Sequence, residues 1–250
     1  MNIFQSIILS IVEGITEFLP ISSTGHLILT SQILKIAQTD FVKTFEIAIQ
    51  LGAIMSVVFL YWQKIIKSKT LWKEILASFI PTAVIGFIFF KLIKNYLLGN
   101  SHVVVISLII GGIALIIFEK YIKLKKKKPT LKDYFLIGIF QAIAVIPGVS
   151  RAAATIIGGE LVGLDKKEAV EFSFLLAAPT MFAATALDLV KSGFSFTGNE
   201  ILIMAVGFIG AFVTATLTIK AFIKFIQKNN FVGFGIYRII VGLIFLLYLG

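Results

Sequence analysis

Two long stretches of this sequence carry no charged residue. Residues 103–118 and 201–219 are uncharged throughout, and each is close to the roughly 20 residues that an α-helix needs to cross a bilayer. The whole chain follows this pattern, since 58% of its 250 residues are hydrophobic and 14% are charged, against about half and a quarter in soluble domains. The sequence therefore predicts an all-α polytopic membrane protein.

The charge pattern excludes several classes of protein. The net charge of +10 does not indicate nucleic-acid binding, because the lysines concentrate in short loops beside apolar segments. Without cysteine, disulfides and thiolate metal sites are excluded. No basic region precedes the first apolar stretch, which Glu13 and Glu17 interrupt, so we expect no cleaved signal peptide there.

The two halves of the chain resemble each other at an offset near 128 residues. Each match is weak alone, but their collinear order indicates a duplication. The aligned segments are residues 13–23 with 141–151, 45–53 with 170–178, and 79–91 with 208–220.

Each half is predicted to contain a re-entrant helical hairpin and three transmembrane helices, because the hairpin helices are too short to span. The first half, 1–122, has its hairpin at 3–34, broken at Leu19–Pro20, and spans at 44–62, 74–94 and 102–122. A basic connection covers 123–133, and the second half, 134–250, has its hairpin at 134–162 and spans at 168–190, 200–224 and 231–249. Three crossings are an odd number, so the halves form two inverted-topology repeats.

Lysine bias predicts the orientation in the membrane. The 63–73 loop, the 120–132 connection and the 224–228 segment are rich in lysine and are assigned to the cytoplasm. The first hairpin then enters from the outside and the second from the cytoplasm. Their tips are expected to meet near mid-membrane.

The first hairpin carries the densest set of ionisable and hydroxyl groups. Glu13 and Glu17 are four residues apart, so they share one face if the helix continues. Two adjacent carboxylates repel each other unless a cation lies between them, and a hard ion such as Mg2+ or Ca2+ prefers such oxygen ligands. These residues therefore predict a divalent metal site.

A nucleophile, a base and a phosphate-binding element follow within five residues. Ser22, Ser23 and Thr24 come after Pro20, at the start of a new helix, where free N–H groups favour anions. His26 lies within one turn of Ser23 and is able to exchange a proton with it. Ser22 and Thr24 also fit simple helix caps.

The second hairpin supplies a cation. Arg151 follows Pro147-Gly148-Val149-Ser150 at the corresponding helix start, and Thr155 lies about one turn further on. A guanidinium there binds phosphate oxygens bidentately and offsets charge in phosphoryl transfer. Ser150 and Thr155 are predicted to contact the same substrate as Arg151. The alternative for Arg151 is that it bonds only to backbone carbonyls.

Across essentially its whole length the sequence resembles the undecaprenyl-diphosphate phosphatases of the bacitracin-resistance type. The resemblance is carried by residues 12–26, Val-Glu-Gly-Ile-Thr-Glu-Phe-Leu-Pro-Ile-Ser-Ser-Thr-Gly-His, and by 147–151, Pro-Gly-Val-Ser-Arg. Ala152-Ala153 departs from the Ser-Gly that is more frequent in the family. This departure leaves Arg151 itself unaffected.

The resemblance implies hydrolysis of undecaprenyl diphosphate to undecaprenyl phosphate and inorganic phosphate, which recycles the lipid carrier of peptidoglycan synthesis. It implies a multi-pass protein of the bacterial inner membrane whose site opens to the periplasm, with Glu13 and Glu17 tied to metal dependence and Ser23, His26 and Arg151 at the core of the site. Ser23 is expected to attack phosphorus, helped by His26 or a carboxylate. Direct attack by water stays open, as does a homodimeric state.

Other functions and roles fit parts of the sequence. A secondary transporter or a flippase of a prenyl phosphate shares the inverted-repeat architecture, whereas a non-catalytic scaffold explains the polar groups at the breaks poorly. Glu46, Glu171 and Arg238 are expected to form structural ion pairs, since buried charges need partners. Gln50 is expected to support the hairpin by hydrogen bonding.

Overall fold

The computed structural model describes residues 1–89, 97, 100–122, 126–192 and 197–249, leaving aside the side chains of 186–192 and 248–249. Ten α-helices run through these residues: α1 Ile3–Thr16, α2 Ser23–Ile33, α3 Asp40–Lys67, α4 Lys69–Ile88, α5 Ser101–Tyr121, α6 Leu131–Ile143, α7 Arg151–Leu161, α8 Lys166–Ser192, α9 Gly198–Ile226 and α10 Val232–Leu249. The predicted end of a span at 94 and residues 123–125 of the basic connection lie outside the described residues.

Four of the described helices, α3, α4, α5 and α9, are long and apolar enough to cross a membrane. Large apolar side chains on them, such as Phe87, Ile110 and Leu217, are exposed, as expected where lipid replaces water as the solvent. The all-helical, polytopic membrane fold predicted from the sequence is therefore confirmed.

The first hairpin consists of two helices that are too short to span a bilayer. α1 begins with a capping box between Asn2 and Gln5, and turn residues follow from Glu17 to Ile21. The chain cannot continue as a regular helix there, because Pro20 has no N–H to donate. α2 then begins after Ser22, whose hydroxyl accepts a 3.4 Å hydrogen bond from the N–H of Gly25.

The second hairpin repeats this construction. α6 begins with a capping box between Thr130 and Asp133, and α7 begins after Ser150, whose hydroxyl accepts from Ala153 at 3.2 Å. Ser22 and Ser150, 128 residues apart, both have left-handed backbone, with φ of 73° and 74°. Each precedes an 11-residue helix, so the two breaks have the same local geometry.

One predicted connection differs in the structure. Residues 63–73 were expected to form a loop, but α3 continues to Lys67 and α4 begins at Lys69, so only Ser68 separates them. The Ser68 hydroxyl caps α4 by accepting from Leu71 at 3.2 Å. Lysine side chains extend their polar ends toward water from a helix, so this charged segment did not need to be a loop.

Each hairpin packs against a long helix of the other half of the chain. α1 lies on α9 and α6 lies on α4. Small residues allow the close approach: a Cβ on Gly14 would lie 2.8 Å from the Ala215 nitrogen. Serine hydroxyls add hydrogen bonds, from Ser6 to the Ile203 carbonyl at 2.9 Å and from Ser78 to the Tyr134 carbonyl at 2.7 Å. Because each hairpin packs on the other half of the chain, the two helix breaks lie close together.

Candidate active site

A cavity of about 290 Å3 lies where the two hairpin breaks meet. The first hairpin contributes Glu17 and the three consecutive hydroxyl residues after Pro20, and the second contributes Ser150 and Arg151. Gln50 of α3 and Met181 and Ala184 of α8 also line it. The full lining is Glu17, Ser22, Ser23, Thr24, Gln50, Ala144, Pro147, Gly148, Ser150, Arg151, Met181 and Ala184.

Glu17 is the centre of the hydrogen-bond network in this cavity. The Ser23 hydroxyl donates to Glu17 Oε2 at 2.6 Å, and Arg151 Nη2 donates to Glu17 Oε1 at 3.1 Å. The side chains of Arg151 and Glu17 are 13% and 6% exposed, so little water screens this ion pair. One carboxylate thus connects a hydroxyl of the first hairpin to a guanidinium of the second.

Helix α8 holds both partners of this pair. The Ser173 carbonyl accepts a 2.9 Å hydrogen bond from Arg151 Nη1. Next to it, the buried ring of Phe174 packs edge-on against Phe18, with centroids 5.2 Å apart. Because Phe18 directly follows Glu17, this contact fixes the turn that carries the carboxylate.

Thr155 supports Arg151 and does not line the cavity. Its hydroxyl donates to the Arg151 carbonyl at 2.8 Å and lies 2.6 Å from the Ser173 hydroxyl. The substrate contact predicted for Thr155 is therefore not formed by this geometry. Ser22, Thr24 and Ser150, predicted to contact the same substrate, do line the cavity.

The imidazole of His26 is not hydrogen-bonded to Ser23; both of its nitrogens have other partners. Its Nδ1 lies 2.7 Å from the Ser22 carbonyl and its Nε2 lies 2.8 Å from the Tyr237 hydroxyl. The imidazole also stacks on the Tyr237 ring, with centroids 5.5 Å apart. The sequence analysis left His26 and a carboxylate as possible proton acceptors for Ser23. In the structure the Ser23 hydroxyl is hydrogen-bonded to the Glu17 carboxylate.

Glu13 lies behind Glu17 and is fully buried. No N–H or hydroxyl group of the described residues donates to its carboxylate oxygens; its side chain lies within hydrogen-bonding range of the Glu17 carboxyl, and Glu46 and Arg151 are the other charged groups around it. Two adjacent buried carboxylates repel each other when both are ionised, and their oxygen atoms fit a hard divalent cation. Among the described residues no group of three or more His, Cys, Asp or Glu is placed to hold a metal.

Comparison with known proteins identifies the family. The family model described as "Bacitracin resistance protein BacA" matches residues 6–244. The chain belongs to the BacA family. It is 55% identical to the undecaprenyl-diphosphatase of Aquifex aeolicus, with 98% of each chain covered. The identity is 54% to that of Persephonella marina, with 99% covered, and 49% to that of Sulfurihydrogenibium, with 99% and 100% covered.

The resemblance found in the sequence is thus confirmed, and the BacA match extends over both hairpins. Both motif segments, 12–26 and 147–151, lie inside the matched range. Residues of both segments line the same cavity. In this BacA chain the motif residues are therefore neighbours in space as well as matches in sequence.

Arg238 of the BacA chain was expected to pair with a carboxylate, and this expectation is wrong. Its fully buried guanidinium donates to carbonyls of both breaks, Pro20 at 3.2 Å, Gly148 at 2.9 Å and Val149 at 3.0 Å. It also donates to Ser107 and Leu108 of α5 at 3.0 and 3.3 Å. Broken helices leave carbonyls without partners, so the five N–H groups are satisfied without a counter-ion.

Glu171, the other expected partner, lies elsewhere and binds lysines. Its carboxylate is 3.0 Å from Lys64 and 3.7 Å from Lys167. Gln50 lines the cavity, and its support of the hairpin by hydrogen bonding stays a prediction. The sequence analysis missed carbonyl binding by Arg238; the signal that could have indicated it is a single arginine in an apolar helix of a chain with two helix breaks.

Proposed function

We propose that this chain hydrolyses undecaprenyl diphosphate to undecaprenyl phosphate and inorganic phosphate, and that the reaction takes place in the cavity between the two breaks. One observation carries the proposal: Ser23 and Arg151, from different hairpins, converge on the single carboxylate of Glu17. The relatives, named as undecaprenyl-diphosphatases over the full chain, support the substrate.

The proposed chemistry begins at Ser23. Its Oγ attacks the terminal phosphorus while its proton passes to Glu17, and the bond from that phosphorus to the bridging oxygen breaks, releasing undecaprenyl phosphate. Water then cleaves the phosphoserine, yielding inorganic phosphate and restoring the hydroxyl. In the alternative, water attacks directly and Ser23 only holds the phosphate.

Arg151 and the two helix starts are proposed to bind the diphosphate. Helices α2 and α7 both begin at the cavity, and the unpaired N–H groups of a helix N-terminus attract anions. Arg151 offsets the charge on the transferred phosphoryl group. The Arg151 guanidinium is paired with Glu17 in this structure. We therefore expect the substrate phosphate to compete with the Glu17 carboxylate for it. Ser22, Thr24 and Ser150 provide further hydrogen bonds.

A divalent cation, Mg2+ or Ca2+, is proposed at Glu13 and Glu17. The supporting observation is that the buried Glu13 carboxyl, which accepts from no N–H or hydroxyl group of the described residues, lies against the carboxyl of Glu17. When bound, such an ion would neutralise phosphate charge and polarise a phosphoryl oxygen. Glu13 would then hold the ion from behind the cavity, and Glu17 would face both the ion and Ser23.

The two halves are proposed to be inverted repeats, and the protein to lie in the bacterial inner membrane with its site open to the periplasm. The equal geometry at Ser22 and Ser150 and the exchanged packing of α1 and α6 support the duplication. Lysine bias supports the orientation. The enzyme then recycles the lipid carrier of cell-wall synthesis on the periplasmic side of the membrane, where the carrier is released. Bacitracin resistance follows from that activity.

A transporter or flippase of a prenyl phosphate is the alternative function, and it is not favoured. The relatives carry a phosphatase name over essentially the whole chain. Transport also gives no reason for the hydrogen bond between the Ser23 hydroxyl and the Glu17 carboxylate.

Phosphate release tests the proposal. Purified protein given undecaprenyl diphosphate with Mg2+ or Ca2+ is expected to release inorganic phosphate, and Ser23→Ala to lower kcat by at least about a thousand-fold. Ser31→Ala, which removes a buried hydroxyl of the same helix that has no hydrogen-bond partner among the residues that the structure describes, serves as the matched control. Absence of release by the wild-type protein would overturn the enzymatic function.

Trapping of the intermediate distinguishes the two mechanisms. Acid-quenched single turnovers with substrate labelled at the terminal phosphate are expected to leave label on Ser23. If Ser23→Ala is inactive and the wild-type protein never carries label, direct attack by water is the mechanism.

A further inference from the structure

The imidazole of His26 is hydrogen-bonded at both of its nitrogens. Nδ1 lies 2.7 Å from the Ser22 carbonyl, and Nε2 lies 2.8 Å from the Tyr237 hydroxyl. Because a carbonyl oxygen only accepts hydrogen bonds, Nδ1 must carry a hydrogen atom and donate it to Ser22. In the neutral ring Nε2 then has a lone pair, to which the Tyr237 hydroxyl donates. The two contacts together specify the Nδ1–H tautomer of His26.

The carbonyl that His26 binds belongs to a residue in an unusual conformation. Ser22 has φ of 73° and ψ of 94°, and residues with a Cβ seldom adopt a positive φ. Its carbonyl also accepts a 3.3 Å hydrogen bond from the backbone N–H of His26. Ser22 directly precedes Ser23, the first residue of α2. The hydrogen bonds of His26 therefore restrain the turn that directs the Ser23 hydroxyl toward Glu17.

Tyr237 reaches this turn from outside the cavity that contains Ser23. It lies on α10 and lines an apolar groove together with Leu19 and Ile21, and it does not line the cavity itself. Its ring is nearly parallel to that of His26, with an angle of 6° between the two planes. Because Tyr237 is outside the cavity, its influence on Ser23 has to pass through His26.

We propose that Tyr237 is a positioning residue for Ser23. Its hydroxyl satisfies Nε2 and fixes the plane of the His26 ring, and His26 in turn holds the Ser22 carbonyl at the start of α2. Without the hydroxyl, a buried nitrogen loses its donor, which is unfavourable, and the ring is free to turn away from Ser22. The proposal rests on the proposed function for the role of Ser23 as nucleophile, whereas the hydrogen bonds of His26 do not depend on it.

The kinetics of undecaprenyl diphosphate hydrolysis test the role of Tyr237. Tyr237→Phe keeps the ring and removes only the hydroxyl, so it is expected to lower kcat by about five-fold and to leave KM unchanged. Tyr121→Phe, at a 75% exposed position of α5, is the matched control and should behave as the wild-type protein. An unchanged kcat in Tyr237→Phe would overturn the proposal.

A double variant tests whether Tyr237 acts through His26. Combining Tyr237→Phe with His26→Gln should lower kcat no further than His26→Gln alone, because the second change removes the group that the hydroxyl positions. A general loss of stability would not produce this result, since independent losses add in free energy and multiply in rate. Effects that multiply would show that Tyr237 acts independently of His26 and would overturn the proposal.

Nitrogen NMR of the full chain in detergent tests the hydrogen bonds directly. The chain has two histidines, His26 and His102, so isotope-labelled histidine gives two sets of ring signals, and His102→Gln identifies those of His26. The wild-type protein is expected to have Nδ1 of His26 protonated and Nε2 unprotonated. Tyr237→Phe should shift the Nε2 signal toward that of a nitrogen without a donor and leave the His102 signals unchanged.

Two NMR outcomes would contradict the proposal. They are the reverse tautomer of His26 in the wild-type protein and an unchanged Nε2 signal in Tyr237→Phe. The measurement contains no substrate, so its failure is distinguishable from a failure of the proposed function, which appears as absence of phosphate release.

Discussion

Arg151, at the start of α7, is ion-paired at 3.1 Å with Glu17, at the end of α1. The two residues are 134 positions apart and belong to different hairpins. Since each is nearly buried, neither charge is tolerated there without the other. This pair joins the two halves of the chain at the proposed site and makes the roles of the two residues interdependent.

Glu17→Gln and Arg151→Lys are therefore expected to act as a unit. Each should lower kcat/KM by about a hundred-fold or more, because one removes the proton acceptor of Ser23 and the other removes the bidentate fork. The double variant should lose much less than the product of the two effects. Steady-state kinetics of the four proteins measure this, with Lys64→Gln and Glu171→Gln, an exposed pair, as the additive control. Independent effects of Glu17 and Arg151 would contradict a shared role.

Replacement of His26 should be milder than replacement of Glu17. The imidazole contacts Ser22 and Tyr237 rather than Ser23, so we expect His26→Gln to lower kcat by about ten-fold through loss of positioning. The pH dependence of kcat/KM between 6 and 8 should stay as in the wild-type protein, because the titrating base is retained. A flattened profile in His26→Gln would instead make His26 the base.

Removal of divalent cations should abolish phosphate release, and Mg2+ or Ca2+ should restore it. Glu13→Gln is expected to raise the metal concentration for half-maximal activity by about ten-fold, since it removes one oxygen ligand. Thermal unfolding provides a second measurement, in which added metal should raise the Tm of the wild-type protein more than that of Glu13→Gln. Full activity in the presence of a strong chelator would rule out the metal site.

Arg238→Met should destabilise the fold as well as the site. It leaves the carbonyls of Pro20, Gly148 and Val149 without this donor, and one unsatisfied buried polar group costs about 1–3 kcal/mol. We expect a loss of at least about 2 kcal/mol, measured as a fall in Tm in detergent. The neighbouring Tyr237→Phe removes one hydrogen bond and should cost about 1 kcal/mol. If both variants melt at the same temperature, Arg238 does not hold the breaks together.

Asp133 stabilises the folded protein, and this stabilisation depends on pH in the acid range. Hydrogen bonds from Lys127 and from the Thr130 backbone and hydroxyl lower the pKa of this carboxyl to about 2. Because the folded-state pKa lies below the unfolded value, the stabilisation is complete above about pH 4 and is lost as the pH falls through 2. Asp133→Asn should therefore lower Tm at pH 7, and the difference should vanish near pH 2. A constant difference across this range would contradict the assignment.

Most of the fold could be predicted from the sequence because its causes are local. Apolar stretches near the bilayer thickness predict spans, and Pro20 and Pro147 predict breaks because each lacks a donor. The shared spacing of residues 13–23 and 141–151 also predicted the two matched breaks. The misplaced connection at 63–73 shows the limit of this reasoning, since lysines at a membrane face are compatible with loop or helix.

The list of candidate site residues came from the sequence, but their partners came only from the tertiary structure. Spacing along the chain left His26 and a carboxylate as possible partners of Ser23; the structure pairs its hydroxyl with Glu17, and Phe18, the next residue, packs on Phe174. Arg238 was expected to bind a carboxylate and instead binds carbonyls of three separate segments. Spacing along a helix specifies which residues share a face, whereas contacts between residues more than a hundred positions apart depend on how α1, α6, α8 and α10 pack.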